Sequence, residues 1–237
     1  MTHREKRSTS TVTDKVATVP HRFIVVEGPI GVGKTSLARR LARSFGSELV
    51  LEQADENPFL ERFYRNPRAA ALQTQLFFLF QRTRQLEDIR QHDLFETVRV
   101  ADYLLDKDRL FAQLTLDEEE LALYEQVYAK LAVDAPAPDL VIYLQAPTDV
   151  LIRRIREAPA DPERPMPRPD QEYLRELNEA YQHFFFHYNA TPLLVVETSE
   201  FDPDTSDEAL DDLMRQIQGM GKGTRYYVAR TRDGKLL

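Results

Sequence analysis

The sequence contains no cysteine, which excludes disulfides, thiolate metal centres and a thiol nucleophile. No stretch approaches the roughly 18 consecutive apolar residues that a membrane-crossing helix needs. The charged N-terminal residues are followed by no apolar segment, so they do not read as a secretory signal, and a cytoplasmic location is expected. Positive charge is in deficit: 31 Lys and Arg stand against 39 Asp and Glu, a net charge of −8. That balance argues against a polynucleotide partner, which favours a basic surface. Glycine is scarce at eight residues in 237, yet three of the eight fall at positions 28, 31 and 33. The remaining composition, 42% hydrophobic and 30% charged, is that of an ordinary globular chain. Its length suits one sizeable domain.

The clustered glycines belong to Gly28-Pro29-Ile30-Gly31-Val32-Gly33-Lys34-Thr35, which fits G-x-x-x-x-G-K-[ST]. Before it, Phe23-Ile24-Val25-Val26 is a β-branched and aromatic run that reads as a buried strand. After it, Leu37, Leu41 and Phe45 recur at helical spacing over Ser36–Phe45. Strand, glycine loop and helix together make a phosphate cradle. The backbone N–H groups of the loop turn inward, the helix N-terminus adds partial positive charge, and Lys34 adds a full one. The Thr35 hydroxyl is placed for Mg²⁺. The expected nucleotide-binding set is Gly28, Pro29, Ile30, Gly31, Val32, Gly33, Lys34, Thr35 and Ser36.

Along the chain, residues 1–20 are rich in Ser, Thr and charge without periodicity and read as a mobile tail. Leu49–Leu51 reads as a strand ending at Glu52, and Phe95–Val100 as a strand ending near Asp102. Helices are expected over Asn57–Tyr64, Ala69–Gln91, Leu116–Leu131, Val150–Arg156, Glu172–Tyr188 and 207–218. Leu140–Leu144 is the clearest buried strand and Leu193–Val196 the last core strand. Residues 219–237 are left as a C-terminal extension of a domain spanning 21–218. Alternating apolar strands and helices predict an α/β fold with a parallel central sheet covered on both faces. Ligands in such sheets bind beyond the carboxyl ends of the strands, where Glu52 and Asp102 lie.

Among P-loop proteins, a GTPase should carry Asn-Lys-x-Asp, which is absent; Asp106-Lys107-Asp108 does not supply it. A motor-type ATPase should end an apolar strand in adjacent acids, but Tyr103 follows Asp102. A small-molecule kinase should have an arginine-bearing lid after a late strand. Arg153, Arg154, Arg156, Arg164 and Arg168 follow Leu140–Leu144 and predict a lid at about 153–169. Arginine suits a phosphoryl clamp because its planar fork bonds oxygens bidentately.

Several blocks resemble the deoxyribonucleoside kinases. Glu27-Gly28-Pro29-Ile30-Gly31-Val32-Gly33-Lys34 is similar to that family's first motif. Asp55-Glu56-Asn57-Pro58-Phe59-Leu60, Leu72-Gln73-Thr74-Gln75-Leu76-Phe77-Phe78, Ala101-Asp102-Tyr103 with Lys107-Asp108-Arg109, and Asn178-Glu179-Ala180-Tyr181 resemble the bacterial deoxyadenosine/deoxyguanosine kinase branch. The blocks keep that order over roughly residues 22–200. The resemblance implies a P-loop nucleoside kinase fold, ATP as donor, Mg²⁺, a deoxyribonucleoside acceptor with purines favoured, and a homodimer through the helices near 70–90 and 116–131. It implies Glu52 as general base, Gln73 reading the nucleobase, and Tyr64 on the sugar 3′-hydroxyl. Phe77 and Phe111 would shape the base pocket, Asp102 would order the Mg²⁺ surroundings, and Lys107 and Arg109 would make phosphate or base-side contacts. The phosphoryl clamp would come from Arg154, Arg156, Arg164 or Arg168.

Two departures stand out. Animal and viral members have Glu/Asp-Arg-Ser where this chain has Ala101-Asp102-Tyr103, so that arginine is missing. In the lid, Glu157-Ala158-Pro159-Ala160-Asp161-Pro162 stands where Arg-Gly-Arg is common. Two other readings stay open at this point: a thymidylate-type nucleoside monophosphate kinase, and a nucleotide-binding regulatory module without activity. The Asp55-Glu56 pair suits a monophosphate acceptor poorly, and the presence of Lys34, Thr35 and Glu52 together argues against an inactive site.

Overall fold

Phe23-Ile24-Val25-Val26-Glu27 sends successive side chains to opposite sides, and every one is buried, so this strand must lie at the centre of a sheet covered twice. In the computed structural model, which describes residues 19–91, 98–132, 135–159, 167–200 and 207–228, it is β1 (Phe23–Glu27). The other strands are β2 (Glu48–Val50), β3 (Arg99–Ala101), β4 (Leu140–Gln145), β5 (Leu193–Glu197) and β6 (Thr224–Val228). They form one sheet in the order β2-β3-β1-β4-β5-β6. All five pairings are parallel, so the carboxyl ends of the strands lie at one edge of the sheet.

The alternation in β1 separates two apolar layers. Ile24 and Val26 face a layer completed by α1 (Lys34–Phe45), α6 (Thr148–Glu157) and α8 (Asp207–Gln218) through Leu37, Leu41, Leu151 and Leu213. Phe23 and Val25 face the layer built by α3 (Ala71–Gln91), α4 (Lys107–Thr115), α5 (Glu118–Leu131) and α7 (Gln171–His187). There Tyr143 stacks on Phe185 with ring centroids 4.0 Å apart. Each large apolar side chain moved from water into these layers contributes about 1.5–3 kcal/mol. The acidic start of α5 is a reciprocal cap: Asp117 accepts from the Glu120 backbone N–H, and the Glu120 side chain accepts from that of Asp117. A short α2 (Leu60–Arg65) closes a smaller cluster of Leu60, Phe63, Ala70, Ala71 and Phe78.

The parallel sheet, its helical layers and the expected strands and helices agree with the sequence reading. Two elements do not. Residues 219–237, expected to lie beyond the domain, supply β6, which pairs with β5 from Leu193↔Thr224 to Glu197↔Val228. Lys107–Thr115, for which the sequence reading gives no element, is helix α4 with a charged first turn. Of the expected tail at 1–20, residues 1–18 lie outside the described residues while Val19 packs against the core; the beginning of the strand at Phe95 and part of the lid also lie outside them. No described helix is long and apolar enough to cross a membrane.

Candidate active site

Beyond the carboxyl end of β1 the chain turns through the glycine loop. Gly28 is required by close approach: a Cβ there would stand 2.3 Å from the Leu144 carbonyl oxygen at the end of β4. Gly33 enters α1 with φ 102°, a left-handed conformation costly for residues with a Cβ, and no side chain caps the helix there. The partial positive charge of the first turn is therefore directed at the loop. Lys34 lies back over it, its Nζ donating to the carbonyls of Gly28 at 2.8 Å and Pro29 at 3.2 Å. Burial, then the nearby Lys107 ammonium, pull the Lys34 pKa down to about 8. An arriving triphosphate would reverse that shift, because it stabilises the charged ammonium.

Asp102, just past β3, ties the loop to the next strand end. Its Oδ2 accepts from Thr35 Oγ1 at 2.5 Å and its Oδ1 from the Glu52 backbone N–H at 2.7 Å. Burial raises its pKa, and the Thr35 hydrogen bond opposes the shift. Glu52 is thereby fixed through its backbone, two residues past β2. Its carboxylate is held between two cations: Oε1 accepts from Arg82 Nη2 of α3, and Oε2 from Lys107 Nζ of α4 at 3.1 Å. Arg82 bonds Asp108 with its other terminal nitrogen and lies over the Phe78 ring, 4.8 Å from the centroid. Arg82, Lys107 and Asp108 are all buried. Each carboxylate oxygen of Glu52 accepts one cation and retains a further lone pair for a proton.

Glu52, Arg82 and Lys107 form one end of a cavity of about 230 Å³, with Ile30, Gly31 and Lys34 of the phosphate loop beside them. The walls away from the phosphates are aromatic: Phe63, Tyr64, Phe78, Phe111 and Tyr173, with the buried Gln75 among them. An aromatic-walled cavity with one amide suits a heteroaromatic ring whose edge must be recognised. Burial pushes the Tyr64 phenol up to about 12, so it remains a hydrogen-bond donor at neutral pH.

The cavity brings together the expected Lys34, Glu52, Tyr64, Lys107 and Phe111, with Asp102 and Thr35 directly behind Glu52. Two expectations are corrected. Gln73 is exposed and does not line the cavity, whereas Gln75 does, its Nε2 donating to Thr115 Oγ1 at 3.3 Å. Two residues along a helix is a rotation of about 200°, so the two glutamines face opposite ways. Phe77 falls on the Gln73 side and lines a separate groove with Phe80 and Arg84; Phe78 takes the place expected of it.

The arginines expected in the clamp are dispersed. Arg154 donates to Thr198 Oγ1 at 3.2 Å and to the Thr198 carbonyl, in the segment after β5. Arg156 and Arg168 are exposed, and Arg164 lies outside the described residues. Arg109 pairs with Glu125 at 2.9 Å on the outer side of α4. Arg82, Asp108, Gln75 and Glu27 were not anticipated as site residues. For two of them a signal is present: with Phe78, Gln75 and Arg82 fall at i, i+3 and i+7, one stripe of one helix face.

A phosphate loop that opens onto an aromatic slot, with a carboxylate between them, has the plan of a P-loop kinase acting on a small aromatic-bearing acceptor. The chain belongs to the deoxynucleoside kinase family, whose profile matches residues 24–220. It is 37% identical over 161 residues to a deoxyguanosine kinase of Bacillus subtilis, covering 68% of this chain and 76% of that protein. It is 27% identical over 207 residues to a deoxyadenosine kinase of Lactobacillus acidophilus, covering 83% and 94% respectively. The structure of a deoxyadenosine kinase from M. mycoides with bound dATP superposes with a TM-score of 0.69 at 24% identity, over 82% of this chain and 98% of that one. At that identity the superposition bears on the fold.

Proposed function

We propose that the chain transfers the γ-phosphoryl group of ATP to the 5′-hydroxyl of a deoxyribonucleoside, with purine deoxyribonucleosides as the preferred acceptors. The observation that carries this reading is Glu52: a carboxylate fixed at the junction between the phosphate loop and the aromatic slot, where an acceptor hydroxyl must sit. In the reaction, Glu52 accepts the hydroxyl proton, the freed oxygen bonds to the γ-phosphorus, and the bond from that phosphorus to the β–γ bridging oxygen breaks to release ADP. Phosphoryl transfer asks the protein mainly for positioning and charge neutralisation. Lys34 and the N–H groups of the loop serve the β- and γ-phosphates. The base lies among Phe78, Phe111 and Tyr173 with its edge at Gln75, and Tyr64 donates to the sugar.

The residues present fit Mg²⁺ carried in with the triphosphate. Thr35 and Asp102 offer adjacent oxygen donors, while no group of three His, Cys, Asp or Glu among the described residues could form a protein cage. When bound, the ion neutralises charge on the phosphates. The preference for purines rests on the relatives named as deoxyguanosine and deoxyadenosine kinases. A cytoplasmic homodimer is part of the same reading: Phe80 on α3 and Leu123 on α5 are large apolar side chains 54% and 49% exposed. Sedimentation of the purified chain at the mass of two copies is the expected result, and a monomer at all concentrations would remove the dimer.

The activity is tested with ATP and Mg²⁺ against the four deoxyribonucleosides and their 5′-monophosphates, following ADP. Release with nucleosides alone is expected. Release only with a monophosphate would make the chain a nucleoside monophosphate kinase, and none with any acceptor would make it a binding module. Base reading by Gln75 carries its own prediction. Gln75→Ala leaves the partner edge of the base unpaired and should lower kcat/KM for the preferred nucleoside by about 10–200-fold, on the order of 1–3 kcal/mol. Gln73→Ala should leave it within about twofold, since an exposed side chain away from the cavity contributes nothing there. The reverse ranking would restore Gln73 as the reader.

A further inference from the structure

The deepest acid in the site, Glu27, has no role in the reaction as described above. It is fully buried at the end of β1 and adjoins the first glycine of the phosphate loop. Oε1 accepts from the Gly28 backbone N–H at 2.8 Å and from the Tyr181 hydroxyl of α7 at 3.0 Å. Oε2 accepts from the Leu104 backbone N–H at 2.7 Å and stands 3.4 Å from Lys107 Nζ. Three neutral donors, from the loop, from the segment after β3 and from α7, hold this carboxylate in one place. It is a fixed anionic post at the root of the loop.

Lys107 spans from that post to Glu52. It begins α4, its backbone N–H bonded to the Leu104 carbonyl at 3.2 Å, and its ammonium is 3.1 Å from Glu52 Oε2. The two carboxylates it bridges differ in rigidity. Glu27 is locked, whereas Glu52 lies in an irregular segment and retains 17% side-chain exposure. Among the described residues, its two cations alone set where its oxygens point. With Lys107 gone, the carboxylate would be drawn to Arg82 alone, toward α3. The segment Ala101-Asp102-Tyr103 offers no cation in exchange, since the side chain after Asp102 is a tyrosine ring lying 5.8 Å from the Arg82 guanidinium carbon.

We propose that Lys107, anchored on Glu27, is the positioning residue that aims the Glu52 carboxylate at the acceptor hydroxyl and refers it to the same post as the phosphate loop. Donor phosphates and acceptor base are then set from one buried carboxylate. That arrangement matters because a misplacement of about 1 Å between reacting groups can cost on the order of 10²-fold in rate. The inference rests on the reading of Glu52 as the general base.

Lys107→Met should lower kcat by about 10²-fold while the nucleoside KM changes by less than about threefold, because aim matters only in the transition state. It should also lower Tm, since Glu27 loses its counter-charge in the interior. The double variant Glu27→Gln/Lys107→Met removes the buried acid with the buried base. It should recover part of the Tm, since a glutamine oxygen can keep the Gly28 and Tyr181 bonds while its NH₂ meets the Leu104 N–H, and it should keep the low kcat. Lys107→Arg, which keeps a cation at the position, should recover part of the kcat. All rates are read below the onset of melting of each variant. An unchanged kcat in Lys107→Met overturns the proposal. So does recovery of kcat together with Tm in the double variant, which would reduce Lys107 to neutralising Glu27. Wild-type protein and Glu52→Gln run in the same assay: no nucleoside-dependent ADP from wild type sinks the activity itself, and full activity of Glu52→Gln sinks the base.

Discussion

Glu52→Gln is expected to lower kcat for the preferred deoxyribonucleoside by roughly 10²–10⁴-fold, the usual contribution of a positioned base, with the nucleoside KM nearly unchanged. The substitution keeps size and shape. It leaves the backbone N–H of residue 52 on Asp102 Oδ1, which depends on the main chain alone. What it removes is an acceptor. A glutamine amide has one oxygen and one NH₂ group, so only one of Arg82 and Lys107 can keep its bond and the other meets a donor. The amide also cannot take the proton of the acceptor hydroxyl. In the proposed reading substrate binding relies on the aromatic walls and Gln75, which the substitution leaves untouched. Steady-state kinetics at saturating ATP, with nucleoside affinity measured separately by calorimetry, distinguish the two effects. A large rise in KM with kcat preserved would show Glu52 to be a binding group for the sugar rather than the base.

What the sequence made legible follows from how locally each feature is encoded. The phosphate loop is contiguous and flanked by a strand and a helix, so Gly28–Ser36 could be read directly, although Gly28 and Gly31 answer close approaches from Leu144 and Ile155 far along the chain. Glu52 and Asp102 follow short apolar strands, and the rule that ligands sit beyond strand ends in parallel sheets locates both. Helix α3 is the opposite case. It is apolar nearly all round (Leu72, Leu76, Phe77, Phe78, Leu79 and Phe80), because one side meets the sheet and cavity while another forms the groove at Phe80. A sequence of that kind defines no single inward face, so the choice between Gln73 and Gln75 is not fixed by periodicity. Only the seven-residue spacing from Gln75 to Arg82 favours the correct side.

Charged residues misled for a different physical reason. Arg82 and Asp108 would each be costly to bury alone, and a lone charge in a sequence reads as solvated. Their burial is a property of the set, with α3 bringing Arg82 against α4 and the segment after β2 bringing Glu52 to both. The same charged run, Asp106-Lys107-Asp108-Arg109, hid the beginning of α4. Strand β6 is an edge strand with most of its side chains exposed, so its assignment depends on the hydrogen-bonding edge of β5, which the sequence does not display.

The buried pair between Arg82 and Asp108 yields the largest expected loss of stability. Arg82→Met keeps an apolar stem but removes the guanidinium that lies over Phe78 and, with it, the only hydrogen bond among the described residues to the Asp108 carboxylate, which is 1% exposed. Leaving one charge of a buried pair without its partner costs about 3–5 kcal/mol, which for a chain of this size lowers Tm by about 6–20 °C. The cost should depend on pH, with a definite sign. Burial already pushes the Asp108 carboxyl up to about 6, against the opposing pull of Arg82 and Lys107. Without Arg82 the carboxyl goes higher still, so the folded variant holds a proton that the unfolded chain, with an ordinary carboxyl near ~4, has released. Stability of the variant therefore falls as pH rises through that window. The Tm deficit against wild type should be smallest at pH 5 to 6, on the order of the wild-type Asp108 value, and should grow toward neutrality. Adding Asp108→Asn replaces the unpaired acid with an amide of the same shape and should recover most of the Tm. It should not recover kcat, because Glu52 still lacks the cation on Oε1. Melting curves of the three proteins across pH decide the matter: a deficit that shrinks as pH rises, or a double variant as unstable as Arg82→Met, would mean that the Asp108 charge is not what Arg82 holds in the fold.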